Sequence, residues 1–214
     1  VTKLIHIDVS RLEQMIQLPA DLDRKAKIQQ QKQAIYQFRN QLLSQHMQHE
    51  IQNTDISKTE YGKPYLTEFP QVAFNHSHSH KHYALAYSDT VKQVGIDIED
   101  LDRKVRFEAL AQHAFHPDEL EHWAELEYSE EFWFRVWTTK EAVLKASGLG
   151  IRLSLNELNT QVHPIQHGGM CQHAMLGSFA YQNYHLGQTM LTVAWQAGPS
   201  CRGFQWPQIQ LIQH

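Results

Sequence analysis

Two groups of charged side chains stand out by type and spacing. In Gly95-Ile96-Asp97-Ile98-Glu99-Asp100, carboxylates alternate with isoleucines. Strand residues two apart share a face, so Asp97 and Glu99 point one way while Ile96 and Ile98 point into a core. Neighbouring carboxylates repel and call for a cation, and their hard oxygens suit Mg²⁺ better than zinc. A solvated acidic edge strand would give the same pattern without chemistry. In residues 137–150, WTTKEAVLKASGLG, Glu141 and Lys145 lie four apart on a helix, and Lys140 falls inside its apolar arc. The first pair is either an ordinary surface ion pair or part of a phosphate site. Lys140 must snorkel to water or meet an anion, either bound phosphate or a carboxylate from the other half of the chain. Together these are parts for holding a metal ion against a polyphosphate.

His76, His78, His80 and His82 alternate as if along one strand face. Imidazole suits transition metals, but four on one face do not close tetrahedrally round one ion. Ser77 and His78 serve better as donors to a phosphate. Lys25, Lys32 and Arg39 recur every seven residues, a spacing that a solvated helix face also explains. The chain carries no G-x-S-x-G elbow, P-loop or Rossmann glycine pattern.

The elements that must position these groups follow from periodicity. Thr2–Val9 alternates as a strand, and Asp21–Gln48 reads as a long helix with Ile28, Ile35, Phe38 and Leu42 on one face. Val72–Asn75, Tyr83–Tyr87 and Val91–Ile98 read as strands, with Gly62-Lys63-Pro64 a turn. Helices are predicted over Phe107–Phe115, from Pro117 onward, and over Glu130–Ser147, where Gly148 and Gly150 end the helix. A Gly-Gly turn at Gln166–Met170 and a hairpin within Tyr184–Trp195 follow, and the tail Gly203–His214 has no decisive pattern. This order suggests an α+β protein of two halves, residues 1–101 and 102–214, packed against each other.

Composition narrows the function. The chain has 214 residues, enough for a substantial core, and a net charge of −4, so no global basic field points to nucleic acid. No apolar run spans a bilayer, and VTKLIHIDVS lacks a signal-peptide pattern. Cys171 and Cys201 lie far apart with no C-x-x-C spacing, so a reduced, cytoplasmic protein is expected.

The motifs taken together resemble the 4′-phosphopantetheinyl transferases of the larger, surfactin-synthetase-activating type. The resemblance rests on YGKP at 61–64, FNHSHS at 74–79, GIDIE at 95–99 and WTTKEAVLKASGLG at 137–150. A weaker match is AFHPDEL within Phe107–Leu120. It is clear from Tyr61 to Gly150. It implies a pseudo-twofold pair of similar α+β subdomains with the active site in the cleft between them. The implied enzyme is a holo-[acyl-carrier-protein] synthase. It would move the phosphopantetheine arm of coenzyme A to a serine of an apo acyl or peptidyl carrier protein, releasing adenosine 3′,5′-bisphosphate. Mg²⁺, or Mn²⁺, would be held by Asp97, Glu99 and Glu141, and Lys145 would stabilise the transition state at the pyrophosphate. Glu141 or a group near Glu99 would take the serine proton. Lys63, Ser77, His78, Lys140, Lys145, Lys25, Lys32 and Arg39 would contact coenzyme A. The protein would be a monomer with no nucleic-acid or membrane partner. Where the family has an aliphatic residue and a glycine, this chain has His76 and His80. Their charge predicts mildly tighter coenzyme A binding towards pH 6. Two other readings are a Mg²⁺-dependent nucleotide phosphodiesterase and a non-enzymatic His-rich metal-binding module.

Overall fold

The period-two alternation becomes two four-stranded sheets in the computed structural model, which describes residues 2–198 and 206–214, the side chain of Ile151 excepted. Cys201 and the start of the 203–214 tail lie outside the described residues. In chain order, β1 (Leu4–Arg11) leads through one helical turn, α1 (Leu12–Met15), to the long α2 (Arg24–Met47). A small hairpin of β2 (Ile56–Lys58) and β3 (Pro64–Leu66) precedes β4 (Ala73–His78), β5 (His82–Ser88) and β6 (Gly95–Asp100). Three helices follow, α3 (Phe107–Ala114), α4 (Pro117–Glu125) and α5 (Glu130–Ser147). The chain then forms β7 (Gly168–His173), β8 (Gly177–Leu186), β9 (Thr189–Gln196) and β10 (Gln208–Gln213).

The first sheet has the order β10-β1-β5-β4 and the second β6-β9-β8-β7. The α+β class is the expected one. Sheet membership, however, crosses the 101/102 division. β6 pairs with β9 in the second sheet, while β10, from the patternless tail, pairs in parallel with β1 in the first.

Four layers result. Ile5, Ile7 and Ala86 of one sheet meet Ile96, Ile98, Leu191 and Val193 of the other, so the isoleucines of the GIDIE strand do face a core. On the outer face of the first sheet, Ile35, Leu42 and Leu43 of α2 pack on Phe74, Tyr83 and Leu85. Ile28, assigned to that apolar face, is instead 57% exposed, because the first turns of α2 extend past the sheet. On the outer face of the second sheet, Trp133, Val136 and Val143 of α5 pack on Phe179, Tyr181 and Met190.

Other boundaries moved for local reasons. Strand β6 starts only at Gly95, because Gln93 takes a positive φ of 54° and breaks the extended run. The Gly168-Gly169 pair lies in strand β7, not in a turn. A Cβ on Gly169 would stand 2.6 Å from the Tyr181 hydroxyl, so glycine there admits a close cross-strand ring. The late hairpin is β8–β9, turned at Gly187 with φ +66°. Helix α5 begins at the Ser129 cap and ends at Gly148 with φ 72°.

Gly95 governs how the site is assembled. A Cβ there would lie 2.2 Å from the Ala142 carbonyl oxygen and 2.3 Å from the Ala146 amide nitrogen, so α5 rests on the bare backbone of β6. Gly95→Ala is expected to lose about 1–3 kcal/mol by overpacking and to lower activity by pushing α5 off the strand. Urea unfolding at the wild-type midpoint, with full activity, would contradict this contact.

Candidate active site

Because α5 lies directly on β6, residues one helical turn apart, Glu141 and Lys145, come over the outward face that carries Asp97 and Glu99. The edge strand β4 of the first sheet runs beside β6, joined where the Asn75 side-chain oxygen accepts from the Ile96 amide at 2.9 Å. Two residues further along β4, the Ser77 hydroxyl donates to Asp97 Oδ1 at 3.0 Å. Lys145 Nζ donates to the same oxygen at 2.6 Å and to Ser77 Oγ at 3.1 Å. Asp97 is 5% exposed, and its second oxygen, Oδ2, is buried with no partner. An orphaned buried carboxylate oxygen is costly unless something fills the place beside it.

Glu99 turns elsewhere. Arg103 Nη1 donates to both of its oxygens at 2.7 Å, and Trp137 Nε1 donates to Oε1 at 3.2 Å. Burial raises the Glu99 carboxyl above its usual range, against the Arg103 contact, and Asp97 adds to the rise. Glu141 is raised by burial first and then by the Asp97 charge, with Lys145 opposing and Glu99 adding. Three carboxylates that repel one another are a donor set for a hard cation. Their chemistry and the orphaned Oδ2 fit Mg²⁺, although among the described residues no three His, Cys, Asp or Glu side chains converge as a metal cage. Glu99 is engaged by Arg103 and Trp137.

Beside these groups opens a cleft of about 450 Å³, a typical ligand volume. Tyr61, Lys63 and Asn75 line one side, and Glu141, Leu144 and Lys145 the other.

The structure gathers Ser77, Asp97, Glu99, Glu141 and Lys145 and disperses other predicted residues. Lys145 pairs with Asp97 and not, as a surface helix pair would, with Glu141. Lys63 is at the cleft, but its ammonium donates to the Ala146 carbonyl and caps the end of α5; burial lowers its pKa to about 8. His78 is exposed overall, but its ring is partly shielded from water, and that shielding together with the Lys145 charge lowers its pKa.

Lys140 is corrected outright. It is fully buried and bonded to Glu119 at 2.7 Å and to the Leu155 and Leu158 carbonyls, so no ligand reaches it. Its anion is a carboxylate, but from α4 in its own half.

Lys25 and Lys32 are exposed on α2 and outside the cleft lining. Arg39 is buried, donating to Asn53 Oδ1 at 2.9 Å with its guanidinium 4.4 Å from the Tyr36 ring centroid. Lys25 and Lys32 stand in the first turns of α2, beyond the sheet like Ile28, whereas Arg39 lies one turn from each of the buried Ile35 and Leu43.

The histidine run is split by the β4–β5 turn. His76 is wedged between Tyr36 and Tyr83, and burial followed by the Arg39 charge lowers it to about 3. His82 is held by Asp100 at 2.7 Å. Neither a shared strand face nor acid charging of His76 survives.

Asn75, Glu119 and Trp137 lie within the quoted motifs but had no role assigned to them there; Arg103 lies outside those motifs, and its signal is the four-residue spacing from Glu99.

The matching of known proteins agrees with this geometry. Residues 93–194 match the family model of the 4′-phosphopantetheinyl transferase superfamily. The 4′-phosphopantetheinyl transferase HetI of Nostoc sp. is 39% identical over 110 residues, covering 49% of this chain and 46% of that protein. The 4′-phosphopantetheinyl transferase Sfp of Bacillus subtilis is 29% identical over 120 residues, 54% of this chain and 52% of that protein. A putative 4′-phosphopantetheinyl transferase of Haemophilus influenzae is 35% identical over 102 residues, 46% and 42% respectively. The chain therefore spans about half the length of the curated relatives it matches. Over residues 93–194 the chain is thus similar to the 4′-phosphopantetheinyl transferase superfamily.

Proposed function

We propose that this protein transfers the 4′-phosphopantetheine arm of coenzyme A to a serine hydroxyl of an apo carrier protein. The observation that carries the reading is the buried, unpartnered Asp97 Oδ2, which lies behind Glu141 and Lys145, two residues that line a ligand-sized cleft. The serine oxygen forms a bond to the phosphorus that bears the pantetheine arm. The pyrophosphate P–O bond breaks, adenosine 3′,5′-bisphosphate leaves, and the serine proton passes to a carboxylate. Glu141 is one acceptor and Glu99 the other. Asp97 and Glu141, with Glu99 once it is free of Arg103, would hold Mg²⁺ or Mn²⁺. When bound, the ion offsets negative charge along the pyrophosphate.

Lys145 is the cation aimed at the same phosphates, with Ser77 its hydrogen-bonded neighbour. Preorganised positive charge of this kind acts on the transition state more than on the bound substrate. Lys145→Ala is expected to lower kcat by about 10²-fold while coenzyme A affinity changes far less; equal loss in both would assign Lys145 to ground-state binding. Lys63 lines the cleft as a further phosphate contact; His78, near enough to Lys145 to feel its charge, and Lys25 and Lys32 of α2, offered for the 3′-phosphate, would reach the ligand from outside that lining. The two subdomains expected on either side of the cleft would bind coenzyme A between them. The thiol of Cys171, free and buried, accords with a reduced cytoplasmic setting.

The phosphodiesterase alternative uses the same carboxylates with water as nucleophile. Chromatography of the nucleotide product separates the two. Adenosine 3′,5′-bisphosphate that forms only when an apo carrier is added supports transfer. The same product at the same rate without carrier refutes it.

A further inference from the structure

Arg103 enters the reaction drawn above only as the group that Glu99 must leave, and it holds both oxygens of that carboxylate. Its Nη1 lies 2.7 Å from both oxygens of Glu99, the position a chelated cation would take. The pair is one-sided in burial. Glu99 has a side-chain exposure of 13% and Arg103 42%, so the carboxylate is largely buried while the guanidinium reaches it from the solvent side. Trp137, stacked on Trp133 at 5.2 Å with planes 10° apart, donates its indole N–H to Glu99 Oε1 from the other side. The neighbouring carboxylate is treated alike, since Lys145 Nζ sits 2.6 Å from Asp97 Oδ1. Both members of the GIDIE carboxylate pair are thus neutralised by cations built into the chain. Lys145 belongs to the transfer chemistry; Arg103 is placed only to occupy Glu99.

We infer that Arg103 is a positioning residue acting as a displaceable stand-in cation. It holds Glu99 out of the metal shell until a divalent ion binds and takes its place. The inference rests on the transferase reading, which supplies the ion. Its physical content is competition. A guanidinium and a divalent cation cannot both occupy the space between the two oxygens, so the intrinsic affinity of the carboxylates for metal is reduced by the strength of the Glu99–Arg103 pair. A swing of Arg103 into solvent costs little steric work, because its side chain is already part-exposed. The indole N–H of Trp137 reports the exchange directly, since Glu99 Oε1 must share or release it.

The test measures free Mn²⁺ by electron paramagnetic resonance during titration of the purified protein without coenzyme A. Arg103→Gln is expected to bind Mn²⁺ about fivefold more tightly than wild type, the size of one partly exposed ion pair. Arg103→Lys, which keeps the charge but presents a compact ammonium, is expected to fall between them. In parallel, the Trp137 indole N–H resonance, assigned by its loss in Trp137→Phe, should shift on adding Mg²⁺ to wild type. Affinity in Arg103→Gln equal to or weaker than wild type, or a Trp137 resonance that ignores saturating Mg²⁺, overturns the displacement while leaving the transferase reading intact. A protein that binds neither ion overturns the metal assignment and the displacement with it.

Discussion

Asp97→Ala is expected to abolish transfer while leaving the fold in place. Asp97 is the point where three elements meet: β6 carries it, Ser77 of β4 donates to it, and Lys145 of α5 is paired with it. Alanine removes the orphaned Oδ2, the donor that fits a metal ion. It also frees Lys145, which then loses the partner that aims it. The loss should be at least about 10²–10³-fold in turnover, the scale for removing one preorganised electrostatic group. Stability should change little by comparison. The Lys145 side chain is already 31% exposed and can reach water when its partner goes. Glu141→Ala should act in the same way through the second carboxylate. Turnover near the wild-type rate in either variant, with an unchanged urea midpoint as control, would refute the carboxylate assignment.

The second large effect falls on stability. The Lys140 ammonium is held by Glu119 and by the Leu155 and Leu158 carbonyls. The other oxygen of Glu119, Oε1, accepts from the Thr160 amide at 2.8 Å and from the Thr160 hydroxyl, while Oε2 also accepts from the His116 amide. This hub ties α4, α5 and the segment 155–160 together in the buried interior. Burial lowers the Lys140 pKa and the Glu119 charge opposes that fall, as a buried pair requires. Breaking such a pair leaves a charge buried and unmatched, at a cost of about 3–5 kcal/mol. Lys140→Met and Glu119→Ala should each lose about that much in chemical unfolding. Glu119→Gln, which keeps an acceptor, should lose less. Coenzyme A affinity of the folded protein should stay at the wild-type value in all three. Weakened coenzyme A binding at unchanged stability in Lys140→Met would return the lysine to the ligand site.

These two lysines show what periodicity can and cannot reveal. Lys140 and Lys145 lie on one helix, and the wheel correctly put the first inside the apolar arc and the second at its edge. The wheel says nothing of what stands opposite. One faces a carboxylate of α4 and the other a carboxylate of β6, and only the tertiary packing decides which lysine is structural. The strand alternation of 95–99 was legible for the same reason that it works as a site, since a two-residue period sets isoleucines and carboxylates on opposite faces. The sheet to which that strand belongs was not legible. The partner of β6 is β9, about ninety residues away, and the partner of β1 is β10 in the tail. Long-range pairing leaves little local trace. A fixed seven-residue spacing misled for Arg39 because spacing says nothing of depth, and only the later turns of α2 lie against the sheet. The histidines misled because a tight turn interrupts the alternation that seemed to unite them. Glycines carried geometric information. Gly95 had a role that its place in the motif did not disclose, which is to let a helix lie on the strand.

The central claim is that this cleft joins the arm of coenzyme A to a carrier serine. Intact-mass spectrometry of apo carrier proteins incubated with the protein, coenzyme A and Mg²⁺ tests it most directly. The account predicts that at least one acyl or peptidyl carrier gains the mass of a single phosphopantetheine arm on a serine, and that Asp97→Ala abolishes the gain. Carriers of unchanged mass across the panel, with free phosphopantetheine accumulating in solution, would contradict it.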